Sequence, residues 1–245
     1  MFIYLFRYMF NLFRYVFIGY FYLLSFISTL WMCMVCLPLL ISKKASMWFI
    51  RSWATVELFF LKIFCGLSYK LVGFNVSDSG NIIACKHQSA FEILILLKHV
   101  KNPVFFLKKE LMFVPLVNLY LWRTGQLSVA RGSGGNFHLI ELAQNRLKDS
   151  NVIIFPEGKR VPIAHTDVPY HSGVIFLAHK SNAFIVPFAT NTGCFWKRKE
   201  FIKRSGVAVL EQLPDFYLEN SLKISLQNLQ TKINTRSNEL CSQET

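Results

Sequence analysis

The sequence has little charge, and acidic side chains are the scarcest. Charged residues make up 17% of its 245 residues and hydrophobic residues 53%, which excludes a disordered chain, a collagen-like repeat and a coiled coil. No acidic residue precedes Glu57, and the chain holds 27 Lys and Arg against 14 Asp and Glu. The net charge of +13 predicts an anionic partner, which is a nucleic acid, an anionic membrane surface or a phosphorylated small molecule.

Several patterns that would indicate a known chemistry are absent. The six cysteines show no disulfide framework, and the CxxC of Cys33 and Cys36 lacks the second pair of a zinc site, so we expect reduced thiols and no metal centre. The GxGxxG and GxxxxGK(S/T) motifs of nucleotide-binding loops are missing, and so is the GxSxG nucleophile elbow of hydrolases. The sequence therefore supports neither a nucleotide site nor a hydrolase nucleophile.

The N-terminal region is predicted to meet a membrane. Residues 16–41 form an uncharged run between Arg14 and Lys43, and at about 1.5 Å per residue a helix of that length crosses a hydrocarbon core of about 30 Å. A cleaved signal peptide has a shorter apolar part of about 7–15 residues and a small-residue cleavage site, and neither is present. Phenylalanines recur every three or four residues from Phe2 to Phe21, which gives one helical face an apolar stripe.

A second apolar segment covers residues 45–65 and contains three charged residues, Arg51, Glu57 and Lys62. It suits either a helix at the membrane interface or a buried core helix, and Pro38 marks the turn before it. We expect residues 1–65 to form a two-helix membrane anchor, of which residues 1–41 lie outside the catalytic core. Whether the first helix spans the bilayer or re-enters one leaflet stays open, because basic residues flank it on both sides.

Beyond residue 65, short apolar runs alternate with helical patterns, which predicts an α/β domain over residues 66–225 with a mostly parallel central sheet flanked by helices. The polar residues 226–245 are interpreted as a C-terminal tail, in which a helix frays. The candidate strands are 69–74, 81–85, 104–107, 127–130, 152–155, 184–189 and 207–210, and the candidate helices are 89–100, 114–121, 136–149 and 171–180.

The first cluster of residues that can take part in catalysis is the segment from Lys86 to Glu92, between a predicted strand and a predicted helix. A histidine at this place stands at the carboxyl end of a strand, where open α/β sheets bind ligands. Glu92 can orient the imidazole of His87 and stabilise its protonated form. The same residues also form a capping box, in which Ser89 caps the helix and Glu92 returns a bond to the backbone. Both interpretations stay open.

Two further clusters follow predicted strands, and a third lies at the end of one. Phe155-Pro156-Glu157-Gly158-Lys159-Arg160 suits phosphate binding, since Gly158 permits close backbone approach and Arg160 can grip an oxyanion, and it equally suits a basic surface turn. The glycine-rich segment 131–136, which begins with Arg131, is interpreted as a flexible turn. Val186-Pro187 by itself indicates only a turn.

Taken in order, these blocks resemble the lysophosphatidate acyltransferase family, also called 1-acyl-sn-glycerol-3-phosphate acyltransferases. The resemblance rests on four blocks within residues 65–210: His87 with Glu92, an arginine-containing block at 125–131, Phe-Pro-Glu-Gly at 155–160 and Val-Pro at 186–187. Two apolar helices before the first block also resemble the family. Two residues depart from it: the family acid is most often Asp where this chain has Glu92, and Lys159 replaces the usual Thr or Ser.

The resemblance implies transfer of an acyl group from an acyl thioester, acyl-CoA or acyl-carrier protein, to the sn-2 hydroxyl of 1-acyl-glycerol-3-phosphate, which makes phosphatidate. His87 would be the general base and Glu92 its orienting acid. Arg131, Glu157, Gly158 and Arg160 would bind the acceptor, and no metal or bound cofactor is implied. The alternatives are an acyltransferase for another lysolipid or for glycerol-3-phosphate, and a non-catalytic membrane scaffold.

The same resemblance gives the basic excess a partner. We expect the protein at the cell inner membrane with its active site at the cytoplasmic face, because the acceptor resides in the membrane and thioester donors are cytosolic. The cations at 108–109, 197–199 and 203–204 either contact an anionic membrane surface or form a solvated face. A nucleic-acid partner is not expected, since these cations lack a recognisable binding motif and follow a membrane anchor.

Overall fold

The computed structural model describes residues 2–129, 137–163 and 168–243, and the side chains of residues 12–129, 138–163 and 168–243. A seven-stranded sheet in the order β1-β7-β6-β2-β5-β3-β4 forms its centre. Every neighbouring pair is parallel except β6 with β7, so β1 and β7 run opposite to the other five strands. The strands are β1 Leu67–Val72, β2 Ile82–Cys85, β3 Pro103–Lys108, β4 Leu127–Val129, β5 Asn151–Ile154, β6 Ile185–Thr190 and β7 Gly206–Gln212.

Helices cover both faces of this sheet, and the strand residues alternate between two cores. Ile83 packs with helices α1 to α4 on one face, whereas its neighbours Ile82 and Ala84 pack with α5, α6 and α8 on the other. The predicted mostly parallel sheet between helices is therefore confirmed. The helices are α1 Phe2–Val35, α2 Lys43–Cys65, α3 Phe91–His99, α4 Val117–Arg123, α5 Phe137–Leu147, α6 Gly173–Ser181, α7 Thr192–Phe195 and α8 Leu222–Ser242.

The helix predicted within the tail at 226–245 is present, but it does not fray over the described residues, because α8 is a packed helix that continues to Ser242. Leu229, Ile233 and Leu240 follow one another at spacings of four and seven and are buried against the sheet. These few apolar side chains form a stripe that the surrounding Asn, Gln, Ser and Lys residues obscure in the sequence. The helix is needed because β6 would otherwise lose its cover on this face.

The N-terminal helices meet at a turn near Pro38, as predicted. Pro38 lies in a 3-10 helix, Leu37–Ile41, and Ser42 caps α2 by accepting a hydrogen bond from the backbone N–H of Ala45 (3.0 Å). Within α1, Leu12–Val35 is long and apolar enough to cross a membrane by its length and composition, and most of its side chains lie outside the core. We call the 3-10 helix Leu37–Ile41, together with the adjoining ends of α1 and α2, the hairpin corner.

The predicted boundary between a membrane anchor at 1–65 and a domain at 66–225 does not separate two cores. Ala54 and Leu61 of α2 are fully buried and share one cluster with strand residues, so α2 is a core helix that also exposes an outer apolar face. Ile18 and Phe21 of α1 belong to the same cluster, against the expectation that residues 1–41 lie outside the core. The physical reason is that this face of the sheet needs a helical layer, and α1 and α2 supply much of it.

Polar contacts hold α1 against the rest of the molecule. Arg14 donates to the backbone carbonyl of Lys203 (2.8 Å), and the Lys203 ammonium donates to the hydroxyl of Tyr22 and lies 4.6 Å from the centre of the Trp196 ring. Lys203 is therefore buried, which corrects its assignment to a basic surface. On α2, buried Glu57 accepts a hydrogen bond from the Ser28 hydroxyl (3.2 Å).

The packing of α8 leads to a stability prediction. Replacing Ile233 by Ala should lower the free energy of unfolding by about 2–5 kcal/mol, because it opens a cavity between α8 and the sheet. The matched control is Ile224→Ala on the exposed side of the same helix, which should change stability by about 0.5 kcal/mol or less. Urea unfolding of the detergent-solubilised protein, followed by circular dichroism, measures both, and equal effects of the two substitutions would contradict the packed position of α8.

Candidate active site

Three loops meet at one edge of the sheet. β2 lies between β6 and β5, and all three strands are parallel, so their carboxyl ends lie side by side. His87 follows β2, Phe155 follows β5 and Thr192 follows β6. Segments that are separated by more than a hundred residues in the chain are thus brought together at a single place.

His87 and Glu92 form a direct pair at this edge. The Nδ1 atom of His87 lies 2.8 Å from Oε1 of Glu92, and the carboxylate is fully buried whereas 14% of the histidine side chain is exposed. Because a carboxylate only accepts hydrogen bonds, the shared proton is on Nδ1, and Nε2 is left as the basic nitrogen. The imidazole stacks on the ring of Phe155 at a centroid distance of 4.1 Å. The ring is therefore fixed in both position and tautomer.

Glu92 has three further partners besides His87. It accepts hydrogen bonds from the backbone N–H groups of Gln88 (2.9 Å) and Ser89 (2.8 Å), the latter being the bond that a capping box predicts. It also accepts one from the hydroxyl of Thr192 (2.7 Å). The same carboxylate thus caps the N-terminus of α3 and orients the ring of His87, so capping and a contact with the histidine are compatible.

Sequence reasoning missed the contribution of Thr192 and its neighbour. The backbone N–H of Gly193 donates to the side-chain oxygen of Gln88 (3.0 Å), and a Cβ atom at Gly193 would lie 2.9 Å from the Cβ atom of Gln88. Only glycine fits this approach. The Val186-Pro187 block, which indicated only a turn, lies in the buried strand β6 and leads the chain to this contact.

The Phe-Pro-Glu-Gly loop supports His87 from the other side. The backbone N–H of His87 donates to Oε1 of Glu157 (3.4 Å), and the His87 carbonyl accepts from the N–H of Val161 (2.8 Å). Gly158 has a φ of 64° and would bring a Cβ atom within 2.9 Å of the His171 ring, so glycine is required at this turn. Glu157 is buried, Arg160 is half-buried and Lys159 is exposed.

Glu157 forms an ion pair with Lys86 below the histidine. The Lys86 ammonium lies 3.7 Å from Oε1 of Glu157 and donates to the side-chain oxygen of Asn234 on α8 (2.6 Å). The hydroxyl of Tyr170 donates to the same oxygen (3.2 Å). Burial raises the pKa of Glu157 and lowers the pKa of Lys86, and the attraction between their charges opposes both shifts. Sequence reasoning gave Lys86 and Asn234 no role.

The predicted site residues thus differ in how they are placed. His87, Glu92 and Glu157 are directly connected, and Gly158 and Arg160 lie on the same loop as Glu157. Arg131 lies outside the described residues. Glu157 contacts the protein scaffold through Oε1, whereas Oε2 has no hydrogen-bond partner among the described residues. In the part of the chain that the structure describes, no group of three or more His, Cys, Asp or Glu side chains is placed to hold a metal ion.

Comparison with known proteins places this site in a family. The sequence model of the family described as Acyltransferase matches residues 71–191, which include both members of the His87–Glu92 pair and the whole Phe-Pro-Glu-Gly loop. The protein carries an Acyltransferase-family domain. The matched range contains the histidine block, the loop after β5 and most of the sheet. Thr192 and Asn234 lie beyond it.

Individual relatives of the acyltransferase domain were also found. A protein of Pseudomonas aeruginosa named 1-acyl-sn-glycerol-3-phosphate acyltransferase is 26% identical over 174 residues, covering 69% of this chain and 67% of that protein. A Helicobacter pylori protein of the same name is 28% identical over 132 residues, covering 50% of this chain and 56% of that protein. The crystal structure of the 1-acyl-sn-glycerophosphate (LPA) acyltransferase PlsC from Thermotoga maritima has a TM-score of 0.71 at 20% identity, covering 93% of this chain and 97% of that one. This last match shows that the fold is shared.

The buried ion pair in the acyltransferase domain leads to a second stability prediction. Lys86→Met should lower the free energy of unfolding by about 3–5 kcal/mol, because it leaves the Glu157 carboxylate buried without a counter-charge. The double variant Lys86→Met/Glu157→Gln should be more stable than Lys86→Met alone, since the uncompensated charge is gone.

Chemical denaturation of the single and double variants measures this coupling. The control is Lys180→Met, which breaks an exposed ion pair with Glu141 and should change stability by about 1 kcal/mol or less. Losses that simply add in the double variant would show that the two buried charges are not coupled.

Proposed function

We propose that this protein transfers a fatty acyl group from an acyl thioester to the sn-2 hydroxyl of 1-acyl-glycerol-3-phosphate and so makes phosphatidate. The observation that carries the proposal is the His87–Glu92 pair, joined at 2.8 Å at the carboxyl edge of the sheet in an Acyltransferase-family domain. The names of the Pseudomonas aeruginosa and Helicobacter pylori relatives support the acceptor. The donor is acyl-CoA or acyl-carrier protein.

The chemistry follows from the basic nitrogen of His87. Nε2 takes the proton of the acceptor hydroxyl while the hydroxyl oxygen attacks the thioester carbonyl carbon. The tetrahedral intermediate then expels the thiolate, which takes the proton back from the imidazolium, so that ester and free thiol leave together. Glu92 stabilises the imidazolium between these steps and holds the ring in the reactive tautomer. Because a thioester is already activated, the reaction needs neither a metal nor an organic cofactor.

The cations of the neighbouring loops are proposed to hold the acceptor phosphate. Arg160 lies half-buried in the loop that also carries Glu157, and a guanidinium can bind two phosphate oxygens at once. Arg131 is proposed as a second cation for the same phosphate. Glu157 is proposed to contribute indirectly, since its carboxylate is buried and its Oε1 holds the backbone of His87. Exposed Lys159 is proposed to add only long-range attraction.

The membrane position is part of the proposal. The acceptor and the product are membrane lipids, and the apolar helix α1 shares a core with the catalytic domain. We therefore place the protein at the inner membrane with the His87 edge facing the cytoplasmic surface, where a water-soluble thioester donor reaches it. Anionic lipid at this surface complements the net charge of +13.

The base assignment is tested by replacing the pair. His87→Ala should abolish transfer, and Glu92→Gln should lower kcat by about a hundredfold or more, because glutamine keeps an accepting oxygen but loses the charge that stabilises the imidazolium. Release of free thiol with lysophosphatidate as acceptor measures turnover. His179→Ala, at an exposed histidine on α6, is the control. Near-native turnover of His87→Ala would overturn the mechanism.

The acceptor assignment is tested at Arg160. Arg160→Ala should raise KM for lysophosphatidate by about tenfold or more while leaving KM for the donor nearly unchanged, and Arg160→Lys should restore only part of the loss. The same variants are assayed with monoacylglycerol, which lacks the phosphate, with other lysolipids and with glycerol-3-phosphate. Arg198→Ala, at an exposed arginine, is the control. Equal losses with and without an acceptor phosphate would show that Arg160 is structural.

A further inference from the structure

An exposed apolar surface lies beside the candidate active site and has no role in the function described above. It consists of exposed side chains of α4, of the 3-10 helix Lys109–Phe113 that precedes it and of Val114 between them. Phe113 and Trp122 are the most prominent, with 74% and 73% of their surface exposed. Aromatic side chains of this size are seldom left exposed together on a soluble surface, and such a patch marks an interaction site. We name it the α4 patch; its members are Leu111, Phe113, Val114, Leu119 and Trp122.

The structure joins the α4 patch to the hairpin corner. The hydroxyl of Tyr120 on α4 donates to the carbonyl of Cys33 near the end of α1 (3.2 Å), and the ring of Tyr120 lies 4.2 Å from that of Phe49 on α2. Arg123 donates to the carbonyls of Leu40 (2.8 Å) and Ile41 (2.6 Å). The α4 patch is therefore part of the same end of the molecule as the end of the apolar helix α1.

Tryptophan marks this end of the molecule. Trp31 of α1 and Trp48 of α2 lie close to the hairpin corner, and 66% and 63% of their surfaces are exposed. With Trp122, three different elements thus present an exposed tryptophan around one corner. Tryptophan is the side chain most typical of the lipid headgroup level, because its ring is apolar and its N–H is polar.

Basic residues accompany these aromatic side chains. Lys108 and Lys109 are exposed where the α4 patch begins, and Lys44 is exposed at the start of α2. These three cations outnumber the exposed Glu110 of the same 3-10 helix, so that the net charge here complements the negative surface of a membrane that contains anionic lipids. The occupant favoured by composition and charge is therefore an anionic phospholipid bilayer.

The topology of the sheet also connects the α4 patch with the active site. β3 lies between β5 and β4 and is parallel to both, so its carboxyl end at Lys108 is at the same edge as the end of β5. The loop after β5 carries Glu157 and Arg160, whereas the segment after β3 enters the α4 patch. A bilayer in contact with this patch would lie next to the edge that carries His87.

We infer that the α4 patch is a second membrane-binding surface, distinct from the apolar helix α1, which docks on anionic phospholipid at the headgroup level. Docking of the patch turns the His87 edge toward the bilayer, so that a lipid acceptor reaches the site without leaving the membrane. The inference concerns orientation and not the identity of the acceptor. It therefore differs from the proposed function and can fail separately from it.

The first test measures whether Trp122 meets lipid. The full-length protein and its Trp122→Phe variant are reconstituted on vesicles of equimolar phosphatidylcholine and phosphatidylglycerol, the phosphatidylcholine being brominated just below the headgroup. The bromine atoms should quench a larger fraction of tryptophan fluorescence in the wild type than in Trp122→Phe, because they quench only rings that reach them. An equal or smaller quenched fraction in the wild type would overturn the inference.

The second test measures orientation through turnover. Phe113→Ser/Trp122→Ser removes two exposed rings outside the catalytic machinery. Turnover of lysophosphatidate embedded in the same vesicles should fall by about tenfold, which corresponds to about 1.4 kcal/mol, while turnover of detergent-dispersed acceptor stays unchanged. The control is Tyr217→Ser, which removes an aromatic residue that is 68% exposed and should leave both turnovers unchanged.

The outcomes separate the inference from its rivals. Equal turnover of the double variant and the wild type on vesicles would overturn the membrane role of the α4 patch. A change of oligomeric state in the double variant, detected by light scattering in detergent, would instead identify the patch as an interface between two copies and would overturn it too. If the wild-type protein turned over none of the acceptors, the proposed function would be contradicted. The quenching experiment would still decide whether the α4 patch meets lipid.

Discussion

The carboxylate of Glu92 is the point on which the candidate site depends. It is fully buried and accepts hydrogen bonds from the His87 ring, from the backbone of Gln88 and Ser89, and from the hydroxyl of Thr192. These groups belong to the end of β2, the start of α3 and the start of α7. A buried carboxylate must have such donors, because removing it from water without them is strongly unfavourable. The loops at this edge are thus held together by the same charge that orients the histidine.

The regular part of the fold could be predicted from the sequence because its signals are local. Short apolar runs predicted all seven strands, with differences of one or two residues at most ends, since strands covered on both faces are apolar throughout. The spacing of His87 and Glu92 predicted that the two side chains meet just after the end of a strand. The packing of α8 escaped prediction, although a fraying helix was expected there, because its buried stripe contains few apolar residues among many polar ones and average composition hid its period.

The rest of the candidate site has no local signal. Thr192 is one hundred residues from Glu92, and Asn234 is 148 residues from Lys86, so only the assembled sheet brings them together. An isolated threonine or asparagine in the sequence gives no reason to connect it with a distant acid or base. The anchor boundary was misjudged for a related reason: α1 is apolar enough to cross a membrane, and the same property suits it to cover a sheet together with α2.

The hydrogen bond between Lys86 and Asn234 has a consequence for biosynthesis. A ribosome makes the chain from its N-terminus, so α1 is made long before Asn234 is added. Until α8 has been translated and has packed, the ammonium of Lys86 lacks the amide oxygen that it contacts in the folded protein, and one face of the sheet lacks its cover. The buried contacts beneath the histidine loop are therefore completed only after translation has reached α8.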